Sequence, residues 1–137
     1  MRTTRLVSFT LALLASGVTL AQSFDGSVPL ECTAQSGHDC LPQAKGCTPL
    51  QPESSKPPVL GIDFARKQVR SPFRTTVLNV QHTTQNAESL VLQGADLLFA
   101  WSTVINKTTG ALTLTIADRK GAYIVFGQCK TAAKAAG

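Results

Sequence analysis

From residue 59 onward the chain alternates. Leu60, Ile62 and Phe64 share one parity, and Leu112, Leu114 and Ile116 alternate with Thr113, Thr115 and Ala117. A period of two sends one set of side chains to a buried face and the other toward solvent, the mark of a half-buried strand. Read this way, strands are expected over 59–64, near Gln68–Ser71, from Thr75 to Thr83, around Leu90 and Leu92, from Leu97 to Asn106, over 112–117, and from Tyr123 to a close at Gly127 and Cys129. In the third of these, Leu78, Val80 and His82 fall on one face. Gly94 with Asp96 marks a bend or bulge. Tyr123–Phe126 is apolar at both parities, which predicts a strand covered on two sides. The connections, among them Gln85–Glu88, Asn106–Gly110 and Asp118–Gly121, are two to five residues long and rich in residues that turn. Loops this short join antiparallel neighbours. No segment after residue 21 carries a helical period. The expected fold is all-β: an antiparallel meander forming a small barrel or a strongly curled sheet, with closure preferred because it alone removes both exposed edges.

The first 21 residues follow another pattern. Arg2 and Arg5 precede an apolar run from Leu6 to Leu20, which ends in Thr19-Leu20-Ala21. This is a positive start, an apolar stretch and a small-residue cleavage site, the layout of a signal peptide. The run falls short of the roughly 20 residues that span a bilayer core. No cysteine follows the cleavage point closely enough to carry lipid. The expectation is export to the periplasm or medium, with no stable membrane insertion after cleavage. Residues 22–58 are rich in Pro, Gly, Ser, Gln and Cys. Within them Val28–Thr33 reads as a first strand, and 48–58, with its prolines, as an extended loop. Residues 130–137 lack any large apolar group and are expected to fray. The plan is therefore a signal peptide (1–21), a cysteine- and proline-rich segment (22–58), one β domain (59–129, joined by 28–34) and a disordered tail (130–137).

An oxidising destination changes the meaning of Cys32, Cys40, Cys47 and Cys129. Four cysteines allow three pairings. Cys32 lies in the first expected strand and Cys129 ends the last, so Cys32–Cys129 would clasp the chain ends. Cys40–Cys47 would close a small loop that bends at Pro42 and Gly46. The rival is a metal site of His38, Cys40 and Cys47, with Asp39; its spacing matches no usual zinc pattern and lacks an obvious fourth ligand. No metal or other cofactor is expected.

Charge narrows the partners. The chain carries 13 basic and 8 acidic side chains, net +5; loss of residues 1–21 removes Arg2 and Arg5 and leaves +3. The basic residues are scattered, without the dense stripe and interleaved aromatics of a nucleic-acid binder. His82 could act as a base with Asp63 or Asp96 as orienter and Ser71, Ser89 or Ser102 as nucleophile, but no Gly-x-Ser-x-Gly elbow accompanies them. The acidic residues mostly flank turns, where they commonly bind the backbone. Phe99, Trp101 and Tyr123, with Phe126, could line a ligand cavity, though aromatics in strands usually fill the core.

Two stretches, Val28-Pro29-Leu30-Glu31-Cys32 with Cys40 and Cys47, and Leu92-Gln93-Gly94 through Trp101-Ser102, Ile105, Gly110, Leu112-Thr113-Leu114-Thr115, Val125-Phe126-Gly127 and Cys129, resemble a family of small exported bacterial proteins of unknown function. That resemblance implies a periplasmic or secreted address and carries no activity. The plan also resembles the small barrel inhibitors of c-type lysozyme, but the Ser-Gly-x-x-Tyr motif of that family is missing, and a net charge of +3 suits a basic lysozyme poorly. The leading expectation is a non-catalytic binding module for a protein or a small apolar ligand. A periplasmic inhibitor of a hydrolase such as lysozyme, and a small hydrolase using His82, are the alternatives.

Overall fold

A computed structural model describes residues 23–43, 46–50, 57–72 and 77–133; the expected signal peptide and the end of the tail lie outside them. The described residues hold ten strands and no helix: β1 (Leu30–Cys40), β2 (Cys47–Pro49), β3 (Val59–Asp63), β4 (Gln68–Arg70), β5 (Val77–Asn79), β6 (His82–Gln85), β7 (Ser89–Ala95), β8 (Phe99–Asn106), β9 (Ala111–Asp118) and β10 (Ala122–Thr131). All pairings are antiparallel, in the order β5-β4-β3-β1-β10-β9-β8-β7-β6, with β2 beside β1. The sheet curls into a half-barrel around one core. Leu30, Leu60, Ile62, Leu90, Leu92, Ile105, Leu114 and Val125 are each at most 2 % exposed.

The two ends of this strand order are consecutive in the chain. β5 ends one edge, β6 begins the other, and Val80-Gln81 lies between them. Val80 N donates to Lys67 O (2.8 Å) and Gln81 N to Gln93 O (2.9 Å). The Gln81 side chain continues the ladder: its Nε2 donates to Ala95 O (3.0 Å), and its Oε1 accepts from Ala95 N (3.1 Å). One bent segment thus replaces the single strand expected over 75–83. The bend also reverses parity. Leu78 and Val80 are buried, whereas His82 is exposed and pairs with the outward Gln93.

β1 is the largest departure from the expected plan. It runs to Cys40 rather than stopping at Thr33, and it is an interior strand. β10 pairs along its whole length on one side; on the other, β3 takes Leu30–Thr33 and β2 takes His38–Cys40. Prolines were expected to keep 48–58 out of the sheet, yet Thr48 and Pro49 belong to β2. That placement at an edge costs no ladder bond that proline would have to donate. The bulge lies in β1 between Ala34 and Ser36, not at Gly94, where β7 pairs without a break. At the far end, Lys130 and Thr131 pair with Glu31 and Leu30, and Ala132 N donates to Pro29 O (2.8 Å). The sheet therefore extends past residue 129. Phe126 is 42 % exposed, so β10 is covered on one face rather than two.

Local chemistry sets the turns. Asn106 Oδ1 accepts from Thr108 N and Thr109 N, Asp118 Oδ1 from Lys120 N and Gly121 N, and Asn86 Oδ1 from Glu88 N and Ser89 N. Side chains of this kind mimic a backbone turn. Asp25 does the same for Ser27 N at 3.0 Å. Hydrogen bonds from the Ser27 side chain and backbone, and from the Ser23 side chain, lower its pKa to about 2. The turn it shapes delivers Phe24 into the core at 4 % exposure.

One core position is mismatched. Thr103 is fully buried on the inner face of β8, and its Oγ1 has no hydrogen-bond partner. A dry, unpaired hydroxyl costs about 1–3 kcal/mol. Thr103→Val keeps the shape and β-branching and is expected to raise stability by about 1 kcal/mol, read as a higher urea midpoint at unchanged slope.

Candidate functional site

Both disulfides are present: Cys32–Cys129 and Cys40–Cys47, and there are no free cysteines. The sulfurs of the rival metal site are thus consumed by the Cys40–Cys47 bond. Each bridge joins residues directly opposite in the ladder. Cys32 and Cys129 face a non-hydrogen-bonded position: Cys129 N turns away from β1 to donate to Gly110 O (2.9 Å), and Ala34 N, of the same parity as Cys32, donates to Pro58 O (2.8 Å). Such pairs bring side chains closest. Two disulfides are compatible with an oxidising, exported compartment.

The candidate ligand-facing aromatics share the inner face but not one role. Trp101 is 4 % exposed and belongs to the core, lying against Gly94. Tyr123 and Phe99 are half-buried and pack on that core from its rim. The ladder explains the arrangement. Reading across the sheet, Gly94, Trp101, Ile116, Tyr123, Asp39 and Thr48 are successive partners on β7, β8, β9, β10, β1 and β2. Phe99 stands two residues beyond Trp101, opposite Asp118. Leu50 follows β2, with its N donating to Gly37 O (2.8 Å), and it too packs on the core half-exposed. One end of the half-barrel is therefore rimmed by Phe99, Tyr123 and Leu50, with Trp101 beneath.

Asp39, weighed in the sequence only as a member of the rival metal site, stands at this rim instead. It shares parity with Gly37 and Val125, and its direct neighbours are Tyr123 and Thr48. Its Oδ1 is buried without a hydrogen-bond partner. No pattern in 35–40 announces this, because the segment is polar and its parity shifts at the bulge.

The residues of the candidate triad do not converge. Among the described residues the exposed His82 side chain makes no hydrogen bond. Asp63 Oδ1 accepts from Arg66 N (3.0 Å), while its Oδ2 lies 3.7 Å from Arg66 Nε. Asp96 Oδ1 accepts from Leu97 N (2.7 Å). Ser71 is buried, and Ser89 and Ser102 are half-buried. The outer face has a character of its own. Across β7–β10 its side chains are Ala, Ser, Thr, Val, Gln and Asn with Ile124 and Phe126, and its one charge, Lys130, pairs with Glu31 at 3.4 Å. His38 meets Phe126 edge-on there, ring centroids 6.5 Å apart.

No family model matches this chain, and no curated protein or solved structure matches it either.

Proposed function

We propose that the chain is an exported, non-catalytic binding protein of the bacterial envelope, periplasmic or secreted, whose half-barrel rim receives the apolar part of a small ligand. The carrying observation is that Phe99 and Tyr123 pack against the buried core while remaining only partly covered themselves. Large aromatics held partly open above buried Trp101 offer contact area already ordered, so a ligand gains apolar burial at little cost in side-chain freedom. The leader-like pattern of residues 1–21 and the two disulfides support the address. The hydrolase reading would need a partner for His82, and the hydrolase-inhibitor reading a recognition motif.

Titration with a neutral apolar fluorophore such as N-phenyl-1-naphthylamine tests the proposal, with Trp101 as the energy donor. Saturable binding is expected, weakened about tenfold by Phe99→Ala or Tyr123→Ala, in line with losing one buried aromatic contact. Binding that persists unchanged in both variants, or fails to saturate, rejects the rim as the site.

A further inference from the structure

We infer that the rim selects ligands carrying a protonated amine on an apolar body, with Asp39 as the group that receives the ammonium. This rests on the rim being the binding site. Three observations lead to it.

Asp39 Oδ1 is sealed from solvent and accepts no hydrogen bond from the described residues. A half-desolvated carboxylate without a donor is costly to hold, and an unsatisfied buried group in a native fold calls for a role or an arriving partner. Its place is also specific. The ladder sets it directly beside Tyr123 and Thr48 on the inner face, next to the apolar rim rather than in a turn. The other described aspartates, Asp25, Asp63, Asp96 and Asp118, each accept a backbone N–H in a turn. Asp39 does not. Thr48 Oγ1 donates to the Asp39 backbone carbonyl (3.5 Å), which leaves the carboxylate uncommitted.

The donor it awaits is not supplied by the described residues. Arg119 and Lys120 lie in the β9–β10 turn at the same end and are exposed, and neither pairs with Asp39. An ammonium carried by a ligand entering over Tyr123 and Phe99 would supply it. An ammonium head fits on two counts: its charge compensates the carboxylate, and a charge-assisted hydrogen bond is about twice as strong as a neutral one. Tyr123 beside it offers an aromatic face to the same cation. Arg119 and Lys120 define the opposite expectation, an anionic head held at the turn.

Three amphiphiles of equal chain length separate these outcomes: decylammonium, decanol and decanoate, each displacing the neutral fluorophore from the intact protein. Decylammonium is expected to bind at least tenfold more tightly than decanol, and decanoate more weakly than either. Asp39→Asn keeps the side-chain shape and is expected to bring decylammonium down to the decanol value while leaving decanol unchanged, which also reports that the variant is folded. Equal binding of decylammonium and decanol, a preference for decanoate, or an ammonium preference that survives Asp39→Asn overturns the inference while leaving the rim as an apolar site. If none of the three displaces the fluorophore, or the fluorophore itself does not bind, the reading of the rim falls with it.

Discussion

Replacing Cys32 and Cys129 together by alanine is expected to lower stability by about 3–5 kcal/mol, whereas removing Cys40 and Cys47 in the same way should cost about half as much. The bridges differ first in the chain they enclose: the sequence separations are 97 and 7 residues. Loop-closure entropy gives about 4.7 kcal/mol for the longer and about 2.4 kcal/mol for the shorter. They differ also in setting. Cys32 and Cys129 are 0 % and 3 % exposed within the core, so their removal also withdraws buried atoms between Leu30 and Leu60; Cys47 is exposed. For a domain of this size each kcal/mol moves Tm by about 4–8 °C. The long bridge should therefore be worth at least ~12 °C by calorimetry of the oxidised and variant proteins. Equal losses from the two variants would mean that the unfolded chain is not constrained in the way the loop lengths imply.

That pairing was legible because its evidence is local. Cys32 sits in a recognisable strand beginning and Cys129 at a recognisable strand end, and both parities point inward. The same holds for β9, where Leu112, Leu114 and Ile116 declare their face, and for the turns at Asn106 and Asp118, whose side chains bind the backbone as their type and position lead one to expect. What escaped depends on neighbours that the local pattern does not name. Gln35 to Asp39 has no apolar alternation, yet it lies within β1, because β10 pairs with it from Ser36 on, β2 joins on the other side at His38, and Gly37 is buried under Leu50. The parity of Leu78, Val80 and His82 runs on unbroken in the sequence; the reversal at Gln81 comes from Val80 N bonding Lys67 O in the β3–β4 turn while Gln81 N bonds Gln93 O in β7. Asp39 was legible only as a companion of His38 and the cysteines; its place beside Tyr123 follows from the register. Trp101, Phe99 and Tyr123 were recognised as a set, but which of them is core and which is rim follows from the curl of the sheet.

Gly94 shows how a correct signal can have the wrong cause, and it supplies a second large effect. A glycine inside a strand marks either a bulge or a close approach, and here it is the latter. A Cβ at this position would strike the Asn79 carbonyl oxygen, and would lie 2.6 Å from Trp101 Nε1 and 2.8 Å from Trp101 Cε2. The first obstacle is backbone, from the very segment that carries the chain between the two sheet edges, and the second is a ring locked in the core. Neither can move aside as the tip of an exposed side chain would. Gly94→Ala is therefore expected to cost at least ~2 kcal/mol, toward the upper part of the range for overpacked cores, and to shift Trp101 emission because the ring must move. Gly61→Ala is the matched control. It is also a strand glycine, but its Cβ would meet only Arg70 Cβ at 3.9 Å, an ordinary contact, and the loss of unfolded-chain freedom should stabilise it by about 0.4–1 kcal/mol. Opposite signs from two glycine-to-alanine changes in strands, with Trp101 emission altered in one alone, would place the closure of the half-barrel at Asn79–Gly94–Trp101; a tolerated methyl at Gly94 would mean that the segment from Val77 to Gln85 does not press against β7.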